Sequence, residues 1–234
     1  NASQADHILY GTDHKEYFGK SVLGLDDLDE DGFGELIVGV PENNNNGFSS
    51  GRVALYSGRK ILDGDSEPIL VIEGEGAQSN LGGKFTSFPD FDGDGRKEFW
   101  VVASGGTTKE AKMYLFLGVQ LNQESLTLED AFVVLKADVV GDGATSSLET
   151  SDLDFDGYGD LIIGSPYDSE LAYHAGKVSL VMGDQLIDGG EILLSDAYAS
   201  ILGEAVDDNA GTAVGVLNDT DENGGKELLI AAPG

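Results

Sequence analysis

Residues 27–35, Asp27-Leu28-Asp29-Glu30-Asp31-Gly32-Phe33-Gly34-Glu35, set carboxylates at positions 1, 3, 5 and 9 around a glycine at position 6. Alternate side chains of a tightly curled backbone converge on one point, where a hard cation such as Ca²⁺ takes six to eight oxygens at roughly 2.3–2.6 Å. Gly32 supplies the curl, because glycine adopts φ > 0 without a Cβ clash. The carbonyl of Phe33, at position 7, can then turn inward as a further ligand.

Three more copies follow, and their first aspartates, Asp27, Asp90, Asp152 and Asp219, are 63, 62 and 67 residues apart. The predicted ligands of the first loop are Asp27, Asp29, Asp31, the Phe33 carbonyl and Glu35. Those of the second are Asp90, Asp92, Asp94, the Arg96 carbonyl and Glu98. The third offers Asp152, Asp154, Asp156, the Tyr158 carbonyl and Asp160, and the fourth Asp219, Asp221, Asn223, the Gly225 carbonyl and Glu227. The expected cofactor is Ca²⁺, up to four ions. An EF-hand loop begins the same way but needs a bidentate Glu at position 12 and helices on both sides. Position 12 here is Val38, Val101, Ile163 or Ile230, each inside a short apolar run such as Leu36-Ile37-Val38. Such bounded runs read as buried strands, so each loop joins strand to strand.

The elements that must hold these loops follow from the period. Repeats longer than 50 residues, each with several short strands and with 34 glycines to turn them, point to a radial array. The expected strands are His7–Tyr10, Tyr17–Leu25, Leu36–Val40, Gly51–Ser57 and Pro68–Glu73. Leu81–Phe88, Phe99–Ala103, Ala111–Leu117 and Ala131–Lys136 follow as a second blade. Ala144–Thr150, Leu161–Gly164, Gly176–Met182 and Glu191–Leu194 make a third, and Gly211–Leu217 with Leu228–Ala232 make half of a fourth. The fold class is therefore all-β, a β-propeller of four-stranded antiparallel blades, partial at about three and a half. Residues 1–234 form a single segment with repeats at about 6–61, 66–121, 128–187 and 190–234. An uncovered edge at Leu228–Ala232 is a template for pairing, so closure through His7–Tyr10 or self-association through that terminal edge is expected.

The formal charge is −30, from 43 acids against 13 Lys and Arg; four divalent ions would offset eight charges and leave −22. That remainder repels nucleic acid and anionic membrane surfaces, which are excluded as partners. With no cysteine there is neither disulfide nor thiolate chemistry, and bound calcium can cross-link loops instead, filled by extracellular concentrations of the ion. No run of 18 apolar residues and no signal peptide is visible, so direct membrane insertion is not expected. The expected location is extracellular, cell-surface or periplasmic, as a soluble segment. His7, His14 and His174 share no ligand spacing, which argues against zinc. There is no phosphate loop. Phe99 and Trp100 fall inside a strand and read as core, and Asp26, Glu30 and Glu222 beside the loops read as solvated charge.

These repeats resemble FG-GAP repeats of the integrin α-subunit type, whose pattern is Phe-Gly, a strand, an Asp-rich calcium loop, an apolar strand and Gly-Ala-Pro. Phe18-Gly19 matches outright, Leu81-Gly82 and Ala210-Gly211 match in part, and Gly143-Ala144 departs. Gly39-Val40-Pro41, Gly164-Ser165-Pro166 and Ala231-Ala232-Pro233 correspond at the other end, while Val102-Ala103-Ser104 departs. The resemblance implies a calcium-binding, non-catalytic interaction or adhesion module, with a protein or glycan ligand on the face opposite the calcium loops. Antiparallel geometry assigns Pro41–Ser50, Ser104–Glu110, Pro166–Ala175 and Asp196–Asn209 to that face. Tyr167, Asp168, Tyr173 and His174 are its local candidates. The alternative is a propeller-type polysaccharide lyase or hydrolase domain using acids or His174.

Overall fold

The structure, a computed structural model, describes residues 5–28, 30–106, 108–123, 125–222 and 225–234. The predicted ligands Asp29 and Asn223 lie outside them. The fold is all-β, built from antiparallel sheets of the propeller-blade kind, with one five-residue α-helix and a few short 3-10 turns. Two compact units divide the chain: Asn1–Ala103 with Leu115–Ala131, and Ser104–Tyr114 with Phe132–Gly234.

In the first unit, β1 (Val22–Gly24), β2 (Glu35–Val40), β3 (Arg52–Ser57) and β4 (Leu70–Glu73) pair in that order as an antiparallel meander. The apolar run in β2 makes it an inner strand with Ile37, Val38 and Val40 at most 1% exposed. Helix α1 (Gly58–Leu62) follows β3 and is capped by Ser57, whose hydroxyl accepts from the Lys60 amide. A hairpin of β5 (Leu81–Phe88) and β6 (Glu98–Ala103) completes this unit, with a register slip between Leu81 and Lys84. Phe99 and Trp100 in β6 are buried core residues, as their apolar run implies.

Strand β7 (Lys112–Phe116) spans the boundary between the units. In the second unit come β8 (Val133–Lys136), β9 (Ser147–Ser151), β10 (Asp160–Ser165), β11 (Lys177–Val181), β12 (Gly190–Leu193) and β13 (Ala199–Leu202). Four of them form an antiparallel sheet in the order β13-β11-β10-β9. The last pair, β14 (Ala213–Leu217) and β15 (Glu227–Ala231), is a hairpin.

Two expected strands are corrected. Residues 7–10 form no strand; the following turn is tied to the Glu16 carboxylate, which accepts from the Thr12 and Asp13 amides at 2.7 and 3.2 Å. Leu9 packs instead on Val38, Ala54 and Tyr56 of the first blade. The run Glu191–Leu194 is not the outer strand of the third blade. Gly189 and Gly190, with φ of +65° and +91°, turn the chain so that β12 pairs in parallel with β8. The outer place beside β11 goes to Ala199–Leu202, inside a segment read from sequence as loop.

Glycines set how closely the strands approach. A Cβ on Gly39 of β2 would lie 2.0 Å from the Gly82 carbonyl oxygen, and one on Gly164 of β10 would lie 2.0 Å from that of Gly211. In both places a serine hydroxyl, that of Ser21 just before β1 or of Ser147 at the start of β9, donates to that oxygen at 2.7 Å.

Candidate metal centres

Each Asp-rich loop is closed by its own amides. The position-2 N–H donates to the position-9 carboxylate in all four: Leu28 to Glu35 at 2.8 Å, Phe91 to Glu98 at 2.6 Å, Leu153 to Asp160 at 2.6 Å and Thr220 to Glu227 at 2.9 Å. The glycine N–H at position 6 donates back to position 1, from Gly32 to Asp27, Gly95 to Asp90 and Gly157 to Asp152, at 2.8, 2.9 and 3.2 Å. Amides of Phe33, Arg96 and Tyr158 at position 7 donate to Asp31, Asp94 and Asp156 at 2.9, 2.8 and 2.8 Å. Carboxylates that the sequence spaces along the chain are thereby gathered on the inside of one curl.

The curl needs two left-handed residues in each of the first three loops. Position 6 has φ of +94°, +88° and +94° at Gly32, Gly95 and Gly157, as its glycine implies. Position 4 is left-handed too, at Glu30, Gly93, Phe155 and Glu222. Sequence reasoning missed this, because only the second copy places glycine there; the others carry a cost of roughly 1–2 kcal/mol each.

Asp90, Asp92, Asp94 and Glu98 bring one oxygen apiece within 4.8 Å of one another. So do Asp152, Asp154 and Asp156, and Asp219, Asp221 and Glu227. Asp160 stays out of its cluster. It is one methylene shorter than Glu, and its two oxygens accept from the Leu153 and Gly183 amides at 2.6 and 2.8 Å. In the first loop Asp27 and Asp31 curl in the same way, with the Asp31 amide donating to Asp27 at 3.0 Å.

Burial distinguishes the position-9 acids. Glu98 is fully buried, and its Oε1 has no hydrogen-bond partner. Burial pushes its carboxyl up to about 7, with Asp92 and Asp90 adding to the shift against the Phe91 amide. Burial also raises Asp160, whereas the Thr220 amide holds Glu227 below the usual carboxylate range. An orphaned buried carboxylate oxygen in a nest of three aspartates is a donor set that fits a hard divalent cation.

Neighbouring loops are stitched together. Lys97 pairs with Asp26 at 3.3 Å and Arg96 with Glu30 at 3.4 Å, and both acids remain exposed to solvent. Lys226, also at position 8 of its loop, donates its amide to the Leu153 carbonyl at 3.2 Å and its ammonium to Ser151 Oγ at 2.9 Å. That ammonium also lies 5.5 Å from the centre of the Phe155 ring.

At the other end of β10, the loop of residues 166–176 stacks Tyr173 on His174 at 3.9 Å, with Tyr167 at 5.4 Å from the same imidazole. His174 faces Asp207 at 3.6 Å. Two of the four Asp-rich loops, 27–35 and 152–160, fall with Gly39 and Gly164 in segments that match a known family: residues 18–56 and 144–181 match the FG-GAP repeat. The chain carries FG-GAP repeats of the integrin α type. Gly39 and Gly164, inside the matched segments, are the glycines that meet Gly82 and Gly211 outside them.

Among relatives, mouse integrin alpha-IIb is 28% identical over 220 residues, covering 91% of this chain and 20% of its own length. Integrin alpha ina-1 of Caenorhabditis elegans is 30% identical over 177 residues, 68% of this chain and 15% of its own. Rat phosphatidylinositol-glycan-specific phospholipase D is 31% identical over 157 residues, 62% of this chain and 18% of its own. The FG-GAP chain thus spans about a fifth of the length of the relatives it matches. Among its described residues, no helix is long and apolar enough to cross a membrane.

Proposed function

We propose that this FG-GAP chain is a calcium-binding, non-catalytic interaction module of adhesion type, belonging to an extracellular or cell-surface protein. The observation that carries the calcium assignment is the gathering of carboxylate oxygens of Asp90, Asp92, Asp94 and Glu98 within 4.8 Å of one another, with Glu98 Oε1 buried and unbonded. Up to four Ca²⁺ are held, by the carboxylates of each loop and the carbonyls of Phe33, Arg96, Tyr158 and Gly225. Asp29 and Asn223 complete the first and fourth sets, and Asp160 braces the third loop from behind. The ion's role is structural: it neutralises carboxylates that otherwise repel one another at close range.

The partner, a protein or a glycan, meets loops at the ends of the strands remote from the metal, with residues 166–176 prominent among them. Similarity to integrin α-subunits along most of the chain supports this reading.

Calcium titration by calorimetry, with melting curves in EDTA and in calcium, tests the assignment. Binding to the native state alone adds about 2.7 kcal/mol per site at a hundredfold excess over Kd, so the calcium-loaded chain melts higher. Identical melting curves, together with no binding heat, would refute it.

A further inference from the structure

The third repeat holds a cavity of about 430 Å³ against the face of β10 and β11 that carries Ser165, Lys177 and Ser179, with Asp142, Asp168 and Leu194 around it. Register identifies the equivalent positions in the first repeat. Ser165 pairs with Lys177 as Val40 pairs with Arg52, and Ile163 with Ser179 as Val38 with Ala54. Two buried apolar positions, Val40 and Ala54, have therefore become hydroxyls. Ser165 and Ser179 are only 2% and 1% exposed, and among the described residues neither hydroxyl has a hydrogen-bond partner. Both hydroxyls line the cavity, so they are available to a ligand that enters it.

The adjoining turns changed in the same sense. In the first repeat the Asn43 side-chain amide donates to the Glu16 carboxylate at 3.0 Å, closing the pair. The equivalents are Asp142 and Asp168: the Tyr167 amide donates to the Asp142 carbonyl as that of Glu42 does to Glu16. Each of the two aspartates accepts from one local amide, Ala144 or Glu170, at 2.8 Å. The second oxygen of each has no protein partner among the described residues, and both aspartates, only 7% exposed, line the cavity.

We propose that this cavity binds an uncharged sugar residue of a glycan. Adjacent sugar hydroxyls donate to the second oxygens of Asp142 and Asp168 and exchange hydrogen bonds with Ser165, Ser179 and the Lys177 ammonium, while the C–H face rests on Val139 and Leu194. Four carboxylates, the other two being Asp138 and Glu170, share the lining with one ammonium, which Glu170 already pairs at 3.0 Å, and this excess of negative charge disfavours sulfated or uronic sugars. The ammonium in turn disfavours a metal ion in the same space. The His174 amide donates to Ser169 Oγ on the cavity wall at 3.0 Å, which places the Tyr173–His174 stack at the rim as a platform for a second sugar ring. The proposal deepens the interaction-module reading and rests on it for the choice of partner, but it does not depend on calcium.

The test is saturation-transfer NMR and calorimetry on the calcium-loaded chain with glucose, galactose, mannose, N-acetylglucosamine and their β-linked disaccharides. Comparison is with the Ser165→Val/Ser179→Ala double variant, which restores the residues of the first repeat, and with Asp168→Asn. Saturable binding of at least one sugar, weakened roughly tenfold in the double variant, is expected. Absence of binding across the panel, equal binding by the variant, or preference for glucuronate or sulfated sugars would overturn it. If the double variant fails to fold, wild-type binding by Asp168→Asn would do the same. A calcium isotherm measured alongside separates the two readings, since failed sugar binding with intact calcium binding removes only this pocket's assignment.

Discussion

Gly39 and Gly82 approach so closely that a single methyl group on Gly39 would lie 2.0 Å from the Gly82 carbonyl oxygen, an oxygen already fixed by the Ser21 hydroxyl. Backbone on both sides leaves nothing to yield. Gly39→Ala, and Gly164→Ala against Gly211, should each cost about 1–3 kcal/mol in urea denaturation, the usual range for overpacking. Gly24→Ala is the control, because a Cβ there meets nothing within 4 Å. Equal stability of Gly39→Ala and Gly24→Ala would show that the close approach is not a constraint.

Chelation should expose the cost of Glu98. Its carboxyl ordinarily titrates at 4.5 but is raised to about 7 in the folded chain. Between these values the folded state binds more protons than the unfolded one. In EDTA the contribution of Glu98 to stability is therefore fully present below pH 4.5 and lost as pH rises through 7. Calcium favours the ionised form, so affinity at the second loop should increase over the same interval. Glu98→Gln should flatten its share of the apo pH profile and weaken calcium at that loop. Denaturation in EDTA at pH 5 and pH 8, wild type against Glu98→Gln, checks the first; calorimetry at both pH values checks the second.

The order of filling should follow the gathered charge. The second loop converges four carboxylates, whereas the third and fourth each converge three. Ligand charge tunes calcium affinity, so the second loop should fill before both. NMR shifts of the Gly95, Gly157 and Gly225 amides during a calcium titration report the loops separately. Simultaneous saturation of the three would count against charge as the deciding factor.

Much of this was legible in the sequence because it is written locally. Leu81–Phe88 forms a strand with the expected bounds, and the apolar runs after each loop became β2, β6, β10 and β15. The loops were legible as well, since spacing alone fixes which carboxylates a curl can gather. What depends on distant partners was not. Glu191–Leu194 has strand composition, but its parallel pairing with β8 follows from the turn at Gly189 and Gly190. Nothing local distinguishes Ala199–Leu202 from loop, and β11 makes it a strand. Likewise Asp160 looks like any position-9 acid until the Gly183 amide, 23 residues on, takes its second oxygen.

That amide separates two acids at equivalent positions and gives the last prediction. Asp160 is fully buried, and both of its oxygens are engaged by backbone N–H groups. Asparagine keeps its shape but can offer only one acceptor oxygen, so either Leu153 or Gly183 would face an NH₂ group and lose its bond. An unsatisfied buried donor costs about 1–3 kcal/mol, and Asp160→Asn should lose that much stability even in EDTA. Glu98→Gln faces no such loss, because its oxygen can still accept from the Phe91 amide and its NH₂, at the place of the unbonded Oε1, has the clustered Asp90, Asp92 and Asp94 carboxylates nearby as acceptors. Without calcium at neutral pH, Asp160→Asn should therefore be destabilised while Glu98→Gln is unchanged or slightly more stable. In saturating calcium the order should reverse in part, with Glu98→Gln losing the stabilisation that its ion supplies. Chemical denaturation of both variants with and without calcium reads this crossing directly. Parallel behaviour of the two variants under both conditions would mean that the acids share one role.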